Sequence, residues 1–394
     1  MVEGPRACQA SEFEEVIALI NQVFRAGTDQ DIRTDYPLVF NHSKMEYMRI
    51  LKVDGKVVAH VPVWLREAVV GDDKLRIGII SPTVTHPGYR RRGYATRCLR
   101  DCIRIMAEEG VPVSVLWTLE ATFPFYQQSG WEAVGSQGWL YQLRPEEHTL
   151  FESGAFEVVQ YDPSNTGSFE AMMKLHDAEP HRIARTIEEY RALFSLPQTT
   201  TFLAMRGGQV AAYLMFGEGI NKPGLIEGGG DISGLETLVK HVLLERSDDS
   251  EIQVLLPLVP SGLGQLMEER KPGSGLPIEA AKGVGYQMMR VNSLEKLLRQ
   301  IENHIRLKSA GLRGAICLAC RETGEVVTLK FRDGEVDFST DRLTEAVVLT
   351  RRQLTQLIFG AHPAVQSVEF SGVTGEILNT IFPFYVPIWE LDHS

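Results

Sequence analysis

The chain has little with which to staple or anchor itself. Its 394 residues include five cysteines, an odd count in a long chain, which excludes a disulfide framework. No apolar run approaches the roughly 20 residues that cross a bilayer. Met1 to Glu15 carries acids where a secretory leader has an apolar centre. A cytoplasmic protein with no membrane partner is therefore expected. A basic stripe is lacking too: the net charge is −11 and cationic residues cluster only at Arg90–Arg92, which argues against nucleic acid as a partner. Cys317 and Cys320 form a C-x-x-C, and Cys98 and Cys102 stand four apart on a predicted helix. Neither pair has a neighbouring histidine or a second C-x-x-C, so core packing is expected and no metal. His176, Asp177, Glu179 and His181 lack a ligand periodicity and are crowded by Pro180, which reads as an exposed helix end.

What is present suits folded domains. At 44% hydrophobic and 23% charged the composition is that of a soluble globular protein, and the length predicts two or three domains, each with its own core. One run carries chemistry: Val84-Thr85-His86-Pro87-Gly88-Tyr89-Arg90-Arg91-Arg92-Gly93-Tyr94-Ala95-Thr96. It joins an apolar strand, Ile77 to Thr85, to a helix predicted over Tyr94 to Glu109. The first amides of a helix lack intrahelical acceptors and sit at the positive end of its dipole. Phosphate satisfies both needs. Gly93 lets a ligand approach the backbone, Ala95 keeps the next turn small, and the three arginines add fixed charge.

The surrounding order predicts an α/β unit with a mixed sheet. A helix is expected over Ser11–Phe24, with Phe13, Val16, Ile17, Ile20 and Phe24 at helical spacing. Strands at Met48–Val53 and Lys56–Leu65 flank the hairpin signal Asp54-Gly55. After the arginine turn and its helix, Gly110 stops the helix and a strand runs from Val113 to Trp117. A short helix near Pro124–Ser129 and strands at Trp131–Val134 and Trp139–Leu143 are expected to complete the unit. Arg144 to Gly154 reads as a boundary. A second α/β segment follows, with strands at Thr201–Arg206 and Val210–Phe216, another near Leu225, a helix over Leu235–Leu244 and a strand at Ile252–Leu256. The last segment predicts a helix near Leu294–Leu307, strands at Gly314–Arg321 and Val326–Phe331 with a turn at Asp333-Gly334, and helices near Arg351–Phe359 and Gly375–Ile381.

The arginine run resembles the signature Arg/Gln-x-x-Gly-x-Gly/Ala of the GCN5-related N-acetyltransferase (GNAT) superfamily, through Arg90, Gly93 and Ala95. The resemblance implies that the amides of Arg91, Arg92, Gly93, Tyr94, Ala95 and Thr96 hold the pyrophosphate of acetyl coenzyme A. It also implies that Thr83, Val84 and Thr85 lie beside the pantetheine arm. Gly228-Gly229-Gly230-Asp231 stands at the corresponding place of the second segment with acid instead of base, and reads as a degenerate copy that binds no cofactor. The closing segment looks like a sterol-carrier-protein-like domain. The whole chain thus resembles the Eis (enhanced intracellular survival) branch. The implied fold is α/β (α+β): a catalytic GNAT domain over 1–145, a degenerate GNAT-like domain over 146–292, and a sterol-carrier-protein-like α+β domain over 293–394. The proline- and aromatic-rich tail, with Phe384, Pro387, Trp389 and Asp392, is similar in kind to that branch's endings, but its last residue, Ser394, is not aromatic. The family also implies a homo-oligomer, with a hexamer as its suggested count.

The chemistry follows from the same resemblance. Phe125-Tyr126-Gln-Gln-Ser-Gly-Trp131-Glu resembles the GNAT segment whose tyrosine faces the cofactor sulfur, so Tyr126 is the expected general acid; a reference pKa of about 10 keeps it protonated at neutral pH. In Eis-type enzymes the C-terminal carboxylate enters the active site, which assigns the base to Ser394, with a reference pKa of about 3.3–3.7. Glu120, after the Val113–Trp117 strand, is the reserve base. Asp29, Asp31 and Asp35 follow the first helix, where they form either an acceptor wall or a solvated acidic loop. Trp64, Trp117 and Trp139 either add apolar surface there or pack in the core. The expected reaction is direct acetyl transfer to a primary amine of a small molecule or a lysine. The alternatives are transfer of a longer acyl chain and a non-catalytic lipid- or acyl-coenzyme A-binding protein.

Overall fold

The computed structural model describes residues 1–218, 223–246, 251–278, 285–360, 370, 372–388 and 390–393. The chain divides into two units that interleave in sequence: one holds 1–67, 71–135 and 285–384, the other 68–70, 136–284 and 385–394. Both are mixed α/β.

In the first unit, β1 (Val2–Ala7), β2 (Met48–Val53) and β3 (Lys56–Pro62) form an antiparallel run. Asp54 and Gly55 take φ of 50° and 80°, the left-handed pair that a tight hairpin requires. β4 (Trp64–Val70) and β5 (Asp73–Ile79) follow, and β5 pairs in parallel with β7 (Val113–Thr118). The apolar stretch Ile77–Thr85, expected as one strand, is two. β5 ends at Ile79, and β6 (Val84–Thr85) joins the other sheet beside β3. Pro82 cannot donate to a ladder, so the chain leaves one sheet and enters the next around it.

α1 (Phe13–Phe24) is followed by the short α2 (Ile32–Asp35) and by α3 (Tyr94–Glu108), and α1 and α3 are amphipathic. α3 buries Cys98, Leu99, Cys102, Ile105 and Met106, at helical spacing, against Val58, Val61 and Val63. Fully burying a large apolar side chain contributes roughly 1.5–3 kcal/mol, so this stripe fixes the helix on the sheet. Gly78 admits the close approach: a Cβ there would run into Met106 Sδ. Arg49 Nε on β2 ties to Asp101 Oδ2 of α3 at 2.6 Å, both largely buried. All five cysteines are buried and free, and burial pushes the Cys98 thiol up to about 12. They pack as small apolar groups.

The strand Gly138–Leu143 does not complete this unit. It lies in the second unit, antiparallel to Ile252–Pro257 along six registered pairs. In the first unit β7 is flanked instead by Tyr286–Val291, which also pairs with β8 (Glu132–Ala133). The reason is that both strands are apolar on the face they bury, and pairing partners distant in sequence leave no local signal. The boundary expected at Arg144–Gly154 therefore falls earlier, after Gly135, and the segment before residue 293 returns to the first unit.

The rest of the first unit is a four-stranded sheet in the order Glu335–Ser339, Val326–Arg332, Gly314–Cys320, Val347–Leu349, with helices Arg351–Phe359 and Gly372–Ile381. The single helix expected near Leu294–Leu307 is two, Leu294–Gln300 and Glu302–Lys308, and Asp73 caps the second by accepting from the amides of Asn303 (3.0 Å) and His304 (2.6 Å).

The second unit has a seven-stranded sheet around the helix Ile232–Glu245, whose Leu235, Leu238, Val239, Val242 and Leu243 are buried with Leu214, Leu225 and Val254. The sequence predicts an exposed helix end at His176, but His176, in the last turn of the helix Thr166–Ala178, is buried, and its Nδ1 meets the Tyr190 hydroxyl at 2.7 Å. Tyr190 donates to Asp177 Oδ1 at 2.7 Å, so Nδ1 of His176 carries the proton in this pair.

Candidate functional site

The site is built where two sheets of the first unit part, the one holding β3 and β6 and the one holding β5 and β7. The last backbone bond between the diverging segments is Ile80 N–H to Val115 O, 2.9 Å. Beyond it, among the described residues, no ladder joins β6 to β7, because β6 pairs with β3 while the end of β7 pairs with residues 286–288. Thr83, Val84 and Thr85 line one side of this parting. Val84 is buried, and the Thr83 hydroxyl is shut from water and lies beside the Tyr126 phenol.

The arginine turn follows directly. His86 Nδ1 accepts from the Gly88 amide at 3.2 Å, and Arg90 Nε reaches back to Thr85 O at 3.4 Å. Arg91 has φ of 61° and Gly93 of 76°. Successive amides in a turn that passes through the left-handed region form a concave arrangement that favours anions. Among the described residues the amides of Arg91, Arg92, Gly93, Tyr94, Ala95 and Thr96 have no protein acceptor; the first helical bond is Arg97 N–H to Gly93 O, 3.1 Å. Gly93 provides no side-chain cap, and a Cβ built there meets open space. Arg90, Arg91 and Arg92 are exposed and form no ion pair among the described residues, Arg92 resting over the Tyr89 ring at 5.2 Å. These residues fit a pyrophosphate: donors without acceptors, room for approach, and uncommitted positive charge.

Tyr126 comes to the same unit on α4 (Phe123–Gln127), packed edge-on to Trp131 at 6.4 Å and against Phe125 at 4.8 Å. It is 8% exposed. Burial raises its phenol above the ordinary value, and the hydroxyls of Thr83 and Thr118 beside it work in the opposite direction. Thr118 in turn hydrogen-bonds Thr122, which is exposed. Tyr126, Thr83 and the end of β7 are therefore brought together.

Other expected residues lie apart. Glu120 is exposed in the turn after β7. Ser394 falls outside the described residues, as does the side chain of Asp35. Asp31 is spent locally: it caps the short helix Ile32–Asp35 and pairs with Arg33 at 2.6 Å. Trp64 is buried with the Arg66 guanidinium 4.1 Å over its ring, and Trp139 belongs to the second unit.

The corresponding place in the second unit differs. Asp231 Oδ1 accepts from the Gly234 amide at 2.9 Å and so supplies an anion to its own helix start. Its glycines serve packing. A Cβ at Gly228 would lie 2.9 Å from Leu214 Cδ1, and one at Gly230, where φ is 104°, would run into Ala211 O.

Residues 5–134 match the family described as Acetyltransferase (GNAT) domain. The arginine turn, β5 and β7 fall within the matched residues, and GNAT acetyltransferase domains use acetyl coenzyme A as co-substrate. No curated protein matches the sequence significantly. Among solved structures the chain is similar to a GCN5-related N-acetyltransferase from Anabaena variabilis, with 13% identity, 98% of each chain covered and a TM-score of 0.74. A probable N-acyltransferase from Enterococcus faecalis is similar at 14% identity, 98% of each chain and a TM-score of 0.74. Eis1 from Mycobacterium abscessus is similar at 12% identity, 99% of each chain and a TM-score of 0.66. At these identities the likeness carries the fold. Among the described residues no helix is long and apolar enough to cross a membrane.

Proposed function

We propose that the protein is an N-acetyltransferase that moves acetyl from acetyl coenzyme A to a primary amine, of a small molecule or a lysine side chain, by direct attack. The observation that carries this reading is the row of six acceptor-free amides at the start of α3, in the same unit as the buried hydroxyl of Tyr126. Acetyl coenzyme A supplies the thioester. The amides of Arg91 to Thr96, with Arg91 and Arg92, hold its pyrophosphate, and the backbone of Thr83 to Thr85 orients its arm. Tyr126 gives its phenolic proton to the departing thiolate, and the Thr118 and Thr83 hydroxyls beside it stabilise the phenolate left behind. The carboxylate of Ser394 takes the proton of the attacking amine, with Glu120 as the reserve. The second unit holds no cofactor, since Asp231 already occupies its helix start. Residues 293–394 act as a sterol-carrier-protein-like domain with the catalytic tail at its end.

Titration of thermal stability with coenzyme A, acetyl coenzyme A and a long-chain acyl coenzyme A tests the donor. A ligand at 100 times its Kd stabilises by about 2.7 kcal/mol. A shift with the first two supports acetyl transfer, a larger shift with the third favours a longer acyl group, and no shift overturns the site. Thiol release against a panel of aminoglycosides, polyamines and lysine peptides then identifies the acceptor. Gly93→Val makes a sharper probe. Holding a β-branched residue at a φ of 76° costs roughly 1–2 kcal/mol and sets methyl groups where the phosphate is held. Calorimetry should show acetyl coenzyme A affinity falling by about tenfold or more, one such factor being about 1.4 kcal/mol. Unchanged affinity would exclude this turn as the phosphate site.

A further inference from the structure

The second unit contains a buried ionic junction that the proposed reaction does not yet use. Arg185, its side chain 0% exposed, lies between two carboxylates that are almost equally hidden. Its Nη1 and Nη2 donate to Glu227 Oε1 and Oε2 at 3.1 and 2.6 Å, and Nη2 also donates to Asp392 Oδ1 at 2.9 Å. Tyr213 donates to Glu227 Oε1 at 2.9 Å. Arg185 precedes the helix Ile187–Leu193 and Glu227 sits in the strand Pro223–Gly230, whereas Asp392 belongs to a single turn, Glu390–His393, two residues from the chain end.

Chain ends fray unless something ties them down. This one buries Leu391 and Asp392, and a carboxylate withdrawn from water is sustainable only beside a cation. The bidentate Arg185–Glu227 pair, braced by Tyr213, is complete without Asp392. It therefore forms a fixed socket into which the terminal turn plugs.

We infer that Arg185 is the positioning residue of the C-terminal segment, holding Asp392 so that residues 390–393 keep one conformation. Its importance for turnover rests on the reading that the carboxylate of Ser394 is the base; the hold itself does not.

The test is Asp392→Asn in the full-length chain, which removes the charge that Arg185 grips and leaves the Arg185–Glu227 pair intact. Hydrogen exchange of the C-terminal peptide covering 385–394, followed by mass spectrometry, reads the hold directly. It should speed up by about tenfold or more, while peptides covering 223–230 and 232–245 exchange as in the wild type. Steady-state kinetics on the same sample should show kcat falling with the KM for acetyl coenzyme A unchanged, and Asp392→Glu should restore part of both. Wild-type exchange in the 385–394 peptide of Asp392→Asn overturns the inference. So does equal loosening of the 223–230 peptide, which would mean that the whole junction has collapsed. Released exchange with undiminished kcat sustains the hold and overturns the terminal carboxylate as base.

Discussion

Tyr126→Phe should lower kcat by about 10²- to 10⁴-fold, the range that a positioned general acid contributes. Little else should change. The ring makes the packing contacts, edge-on to Trp131 and Phe125, and phenylalanine keeps them. The deleted hydroxyl lies beside the Thr83 and Thr118 hydroxyls, of which Thr118 already has Thr122 as a partner. The melting temperature should therefore move little, and the KM for acetyl coenzyme A should stay near the wild-type value, because the lost interaction forms with the developing thiolate and not with the bound ground state. The pH profile gives an independent check. Burial raises the phenol above its ordinary value of 10.0. The acid form then persists through neutral and mildly alkaline pH, so Tyr126 ionisation should cause no rate loss in that range. A variant with full turnover, under conditions where chemistry limits the rate, would remove Tyr126 from the mechanism.

Local features were readable in the sequence and distant pairings were not. Asp54-Gly55 and Asp333-Gly334 marked their turns because those positions need left-handed backbone, and both pairs have positive φ. The stripe Cys98, Leu99, Cys102, Met106 announced α3, and the arginine turn announced an acceptor-free helix start, since these are properties of consecutive residues. The parting of the sheets was hidden inside one apolar run, Ile77–Thr85, because hydrophobicity does not reveal which neighbour a strand chooses. The exchange of strands between units was hidden for the same reason. Tyr286–Val291 and Gly138–Leu143 are both plausible edges for a GNAT-like sheet by composition, and their partners lie more than 100 residues away, at Val113–Thr118 and Ile252–Pro257. β1 carries no strand signal because Gly4 and Pro5 interrupt the alternation; its register shifts between Glu3 and Arg6 to accommodate them. Arg185 and Glu227 carry no motif. Only burial makes them conspicuous, and burial of a charge is a consequence of what it meets.

That consequence yields the largest stability effect expected for a single substitution here. Arg185→Met should destabilise the protein by about 3–5 kcal/mol, the range for removing one member of a buried ionic group, because it leaves the Glu227 and Asp392 carboxylates in a site closed to water. For 150–250 residues each kcal/mol shifts Tm by roughly 2–4 °C, so the transition that reports the second unit should fall by about 6–20 °C. The pH dependence identifies the cause. In the wild type, burial pushes the Glu227 carboxyl up, but the charge of Arg185 outweighs it and holds the group below its ordinary value of 4.5. That depression contributes stability above the unfolded-state pKa, which is lost as pH falls through the folded one. Without Arg185, burial is opposed only by the Tyr213 hydrogen bond and the neighbouring His176, the carboxyl rises, and protonation relieves the variant on acidification. The gap between Arg185→Met and wild type should therefore narrow on acidification, and adding Glu227→Gln should recover part of the loss at neutral pH. A gap that is independent of pH and unaffected by Glu227→Gln would point to lost packing of the arginine stem, and would remove the stranded carboxylates as the source of the instability.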